Sequence, residues 1–129
     1  MKNPSTVFVI DDDLVFHFII KKLFLKFEFD FNANYYMNGF DAIEELKKNT
    51  VVPDVILLDI NMPIYDGWQF LDEFIKIKDT FNKEIDIYLI SSSDDVTDIN
   101  KASKYHKEIK GFCNKPLTFD EFQKIFKKL

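Results

Sequence analysis

The sequence predicts a doubly wound α/β fold, a parallel five-stranded sheet between two layers of helices. Three observations predict it. Short apolar runs rich in Val, Ile and Tyr recur at residues 7–10, 33–37, 55–58, 87–90 and 109–113. Helical patterns fall between them. Polar side chains follow four of the five runs, as if delivered to one edge. Runs that are apolar throughout, rather than alternating, mark strands buried on both faces of a parallel sheet. Five βα units with right-handed crossovers then give a three-layer (βα)5 sandwich. No repeat or linker interrupts residues 1–129, which are expected to form one domain.

The elements follow in order. After the first run, a helix is expected from about Leu14, with Phe16, Ile19, Ile20, Leu23 and Phe27 as its core stripe. Asp13 is placed to cap it. A second helix runs from about residue 40 to 48, with Asn38 or Gly39 near its start. The third begins after Asp66-Gly67 and carries Phe70, Leu71, Phe74 and Ile77. The fourth follows Ser93-Asp94-Asp95, with Ser93 as its cap and Val96, Ile99 and Ala102 on its apolar side. Thr118 and Glu121 have capping-box spacing at the start of the fifth, whose stripe is Phe119, Phe122, Phe126 and Leu129.

Composition excludes several function classes. The formal charge is −5, which argues against nucleic-acid binding through a broad basic surface. One cysteine, Cys113, excludes an intramolecular disulfide and a CxxC site; it reads as a small core residue of the last strand. No signal peptide or membrane-length apolar stretch is apparent, and a cytoplasmic setting is expected. His17 and His106 have no partners at metal-ligand spacing and read as surface residues.

The polar residues after the strands carry the chemistry. Asp11, Asp12 and Asp13 follow the first run, Asp59 the third, Ser91, Ser92 and Ser93 the fourth, and Lys115-Pro116 the fifth. In doubly wound sheets the ligand site lies at the carboxyl ends of the strands, where the strand order reverses. Carboxylates gathered there repel unless a cation joins them. Oxygen donors without a His or Cys cluster point to Mg²⁺ rather than zinc. Carboxylates, hydroxyl and lysine together suit the placing of a phosphoryl group on or beside a carboxylate.

Four stretches, "VFVIDDD", "VILLDINMPIYDG", "IYLISSS" and "GFCNKPL", together and in this order, resemble the response-regulator receiver domain of the CheY-like superfamily, stand-alone type. The resemblance implies the flavodoxin-like strand order 2-1-3-4-5 and a chain without an output domain. It implies a signalling switch rather than an enzyme. Asp59 would be the phosphoacceptor, served by a sensor histidine kinase or histidine phosphotransfer protein. Asp12 would bind Mg²⁺ directly, Asp11 mainly through water, and Asn61 through its backbone carbonyl. Ser91 would hydrogen-bond the phosphoryl group, Lys115 would pair with Asp59, and Phe112 would be the switch aromatic. The Lys115-Pro116 bond would be cis. Departures are mild: Ser91 replaces a frequent Thr, and Phe112 a frequent Tyr.

Leu14, Phe18 and Leu25 lie off the core stripe of the first helix and are expected to be partly exposed, as a docking patch for the phosphodonor. The downstream target is not specified, and either a monomer or a phosphorylation-dependent dimer is compatible with the charged helices. Competing readings are weaker. A phosphatase of the haloacid-dehalogenase type would need an aspartate where Asn61 stands. A flavin binder would need a hydroxyl- and glycine-rich loop where the three aspartates stand. A pseudo-receiver, a protein-interaction module that is never phosphorylated, is the alternative that the acidic, hydroxyl and lysine set opposes.

Overall fold

Strand order places the site. In the computed structural model, which describes residues 5–92 and 96–127 (the side chains of 96–98 excepted), β1 (Ser5–Ile10) is an inner strand and pairs in parallel with β2 (Phe31–Tyr36) on one side and β3 (Val55–Asp59) on the other. β4 (Asp86–Ser91) and β5 (Ile109–Asn114) complete a five-stranded parallel sheet of order β2-β1-β3-β4-β5. The chain reverses direction across the sheet between β1 and β3, so the loops after these strands face each other. The helices are α1 (Leu14–Lys26), α2 (Gly39–Lys48), α3 (Gly67–Ile77), α4 (Val96–Lys104) and α5 (Phe119–Phe126). This is the expected flavodoxin-like (βα)5 sandwich.

The sheet separates two cores. Phe8, Ile10, Ile56, Leu58 and Leu89 face α2 and α3, where Ile43, Leu46, Phe70, Leu71 and Phe74 cover them. Val7, Val9, Val55, Leu57 and Ile90 face α1 and α5. Aromatic rings knit that second layer: Phe24 of α1 meets Phe122 and Phe126 of α5 at centroid distances of 5.0 and 4.9 Å, both edge-on. Each such buried ring contributes on the order of 1.5–3 kcal/mol, and edge-on pairing suits the ring quadrupoles.

Local signals start the helices where the sequence places them. The side chains of Asp13, Asn38, Asp66 and Thr118 accept backbone N–H bonds at the first turns of α1, α2, α3 and α5. Both Asp66/Gln69 and Thr118/Glu121 form reciprocal capping boxes. Ser93, expected to cap α4, lies outside the described residues, as does Leu129.

Four expectations about facing need correction. His17 is buried, not on the surface. Ile19 sits on the exposed flank of α1, and Phe24 takes its place in the core because the α5 rings complete its pocket. Phe119 is exposed in the first turn of α5, with the Lys26 ammonium 5.1 Å from its ring centre. Ile99 of α4 is also exposed. Cys113 is only half-buried; burial, and then the neighbouring Glu121, pushes its thiol up to about 11. A thiol held so far from ionisation is a poor nucleophile.

Candidate functional site

Two strand ends, those of β1 and β3, bring carboxylates together. The Asp11 N–H donates to Tyr36 O at 3.0 Å, which extends the β1–β2 ladder one residue beyond Ile10. Asp11 Oδ1 then accepts from the Asp13 N–H at 2.8 Å, and Asp13 Oδ1 from the Val15 N–H at 2.9 Å, which turns the chain into α1. Asp59 ends β3 in register with Ile90, next to Ser91 at the end of β4. One carboxylate oxygen from each of Asp11, Asp12 and Asp59 lies within 4.8 Å of the others. Asp11 and Asp59 are buried, while Asp12 is exposed.

Lys115 faces this cluster from the end of β5. Its N–H donates to Ser91 O at 2.8 Å, and its peptide bond to Pro116 is cis. The ammonium lies 2.7 Å from Asp11 Oδ2 and 3.7 Å from Asp59 Oδ2, and 4.9 Å from the centre of the Phe16 ring. Asp11 is therefore its nearer partner, whereas the sequence suggested Asp59. Burial pulls the lysine pKa down, but the hydrogen bond and charge of Asp11, followed by Asp59 and Asp13, leave it above the ordinary value.

Asp59 is the strained member. Burial first, and then the charge of Asp11, push its carboxyl up to about 6, against the opposing pull of Lys115 and of the Asn61 N–H. That N–H donates to Asp59 Oδ1 at 3.1 Å. A buried carboxylate next to a second one is the arrangement that a cation relieves. The donors are all oxygens and partly open to solvent through Asp12, which fits a hard divalent cation that keeps some of its water.

The loop beyond Asp59 is pinned from both ends. Asn61 Nδ2 donates to Ser91 Oγ at 3.1 Å, which ties the β3 loop to β4. The Gly67 N–H donates to Ile60 O at 3.1 Å. A Cβ on Gly67 would stand 2.8 Å from Ile60 Cα and 2.9 Å from Asp59 O, so only glycine lets α3 start this close. Phe112 lies in β5 opposite Leu89, partly buried against the α2/α3 core.

Sequence reasoning brought the correct strand ends together but missed three features: the buried His17, the Asn61 side-chain bridge to Ser91, and the preference of Lys115 for Asp11. None has a sequence signal, because each depends on which side chains face each other across loops.

A family model described as "Response regulator receiver domain" matches residues 7–127. The chain belongs to that family. The receiver is 30% identical to the sensor histidine kinase CheAY of Helicobacter pylori over 91 residues, 70% of this chain. It spans only 11% of that kinase's length. It is 20% identical to the probable methanogenesis regulatory protein FilR2 of Methanothrix harundinacea, over 99% of this chain and 83% of that protein. A two-component response regulator from Cytophaga hutchinsonii superposes with a TM-score of 0.82 at 26% identity, covering 98% of the receiver and 97% of that chain. Receiver domains of this family act as signalling switches rather than as conventional enzymes. Among the described residues, no helix of this receiver is long and apolar enough to cross a membrane.

Proposed function

We propose that this receiver accepts a phosphoryl group on Asp59 from a phosphohistidine, carried by a sensor histidine kinase or a histidine phosphotransfer protein, with Mg²⁺ as the cation. The observation that carries the reading is the buried Asp59 carboxylate within 4.8 Å of two other carboxylates and 3.7 Å from a lysine ammonium. The likeness to a sensor histidine kinase supports the donor class.

An Asp59 oxygen forms the new O–P bond as the P–N bond to the donor imidazole breaks, with the electron pair leaving on the imidazole. Asp12, Asp59 and the Asn61 backbone carbonyl would hold the cation, with Asp11 acting mainly through water. Mg²⁺ bound there would supply positive charge to offset the carboxylate and phosphoryl oxygens. Lys115 supplies a second positive charge, shared between Asp11 and the incoming group. The Ser91 hydroxyl hydrogen-bonds a phosphoryl oxygen, and Phe112 shifts with it. The face of α4, β5 and α5 then changes its population between two states and so its protein partner. Leu14, Phe18 and Leu25, all exposed on α1, are the docking patch for the donor.

The test is intact mass after incubation with acetyl phosphate and Mg²⁺, with Asp59→Asn in parallel. One phosphoryl adduct, absent in the variant and without the metal, is expected. No adduct from acetyl phosphate or from a phosphorylated histidine kinase, with no Mg²⁺ binding, would leave a protein-interaction module that is never phosphorylated.

A further inference from the structure

His17 occupies a place that an apolar side chain would fill at lower cost. It is 4% exposed, in the first turns of α1, with its ring edge-on to Tyr35 of β2 at 5.2 Å. Lys21, one turn on, covers the same tyrosine with its ammonium 4.8 Å from the ring centre. Burying an imidazole is unfavourable unless it forms a hydrogen bond. Here it forms one. Nε2 lies 2.6 Å from the backbone carbonyl oxygen of Asp11. A carbonyl can only accept, so Nε2 carries the proton. Nδ1 is buried without a hydrogen-bond partner among the described residues. Among the described residues, the bond to Asp11 is thus the one polar link the ring makes.

That link holds the peptide unit between the two acidic residues of the loop. Every other polar group of Asp11 is already engaged. Its N–H bonds Tyr36 O, Oδ1 accepts from Asp13, and Oδ2 pairs with Lys115. The N–H fixes the Ile10–Asp11 peptide against β2, and the carbonyl, tied to α1 by His17, fixes the next one, the Asp11–Asp12 peptide. Asp12 has an exposed side chain, so its position depends on its backbone rather than on packing.

We propose that His17 is a positioning residue for the cation site: through Nε2–H to the Asp11 carbonyl it sets where the Asp12 carboxylate stands. The inference rests on the metal-dependent reading above. Groups that orient metal ligands from behind typically change affinity about 10- to 100-fold when lost. His17→Leu fills the space but cannot donate, and it leaves the buried carbonyl without its partner. His17→Gln places an amide N–H near the position of Nε2.

The experiment is Mg²⁺ binding by calorimetry on wild type, His17→Leu and His17→Gln, with thermal unfolding of each in EDTA. Wild-type binding, at least tenfold weaker binding in folded His17→Leu, and substantial recovery in His17→Gln are expected. Equal affinity in wild type and His17→Leu would overturn the proposal and leave the receiver reading intact. So would a folded His17→Gln as weak as His17→Leu, because shape rather than the donor would then matter. A wild type that binds no Mg²⁺ overturns both. Should His17→Leu not fold, ¹⁵N chemical shifts of the wild-type imidazole decide: the Nε2–H tautomer supports the link, and the Nδ1–H tautomer overturns it.

Discussion

At Asp59, the demands of folding conflict with those of the proposed phosphoryl transfer. Burial and the Asp11 charge raise its carboxyl to about 6, from an ordinary value of 3.8. Between those two values the folded chain holds a proton that the unfolded chain has lost. Stability from this group therefore increases as pH falls through about 6, and its penalty is fully present above that. Asp59→Asn removes the penalty. In EDTA at pH 7.5 the variant should be more stable than wild type by on the order of 1–3 kcal/mol. The advantage should shrink as the pH is lowered toward 4, as read by thermal unfolding across that range. A variant no more stable at pH 7.5 would mean that Asp59 is not under this charge strain. The aspartates themselves were legible because carboxylates rarely follow buried strands without a task. His17 was not legible, since a lone histidine six residues beyond Asp11 has no pattern, and only the packing of α1 on β2 turns it toward that carbonyl.

The corner between β3 and α3 shows how an element positions the chemistry. The Gly67 N–H bonds Ile60 O, and the Asp66/Gln69 capping box starts the helix at once. In the same loop, Ile64 holds a left-handed φ of 71° with its side chain 99% exposed. A β-branched residue there costs about 1–2 kcal/mol, so the loop is held by its neighbours and not by local preference. Gly67→Ala should drive a methyl against Ile60 Cα and Asp59 O. The expected result is a loss of about 1–3 kcal/mol in chemical denaturation, with weaker Mg²⁺ binding because Asp59 moves. Unchanged stability and binding would show that α3 can retreat without disturbing the site. Helix starts were read correctly because capping is local chemistry. The faces of α1 and α5 were read less well: helical periodicity defines a stripe, but the ring of Phe24 enters the core through contacts with Phe122 and Phe126, which lie far away in sequence.

Across the surface, the most distinct feature beside the site is the apolar stripe of α1. Leu14, Phe18 and Leu25 are exposed in one line, and the Lys22 ammonium stands 5.2 Å from the centre of the Phe18 ring. A stripe edged by lysines suits an amphipathic helix with acidic flanks. Phe18→Asp should leave unfolding within about 0.5 kcal/mol of wild type, since the ring is not in the core. Labelling by acetyl phosphate should be unchanged, while transfer from a phosphorylated histidine kinase should fall at least tenfold. Equal loss with both donors would assign Phe18 to the site itself, and no loss with either would remove the patch.

What can be read along the chain is what depends on neighbours in sequence: the alternation of strands and helices, the caps, and the polar residues that end each strand. These determine the fold class and the gathering of Asp11, Asp12, Asp59, Ser91 and Lys115 at one edge, because a parallel sheet aligns all its carboxyl ends. The pairings within that edge depend on distances across it. Lys115 lies nearer Asp11 than Asp59, Asn61 reaches Ser91, and His17 turns inward to the Asp11 carbonyl. Hydrogen bonds and ion pairs are decided over a few tenths of an ångström, and only the packed chain sets distances that finely.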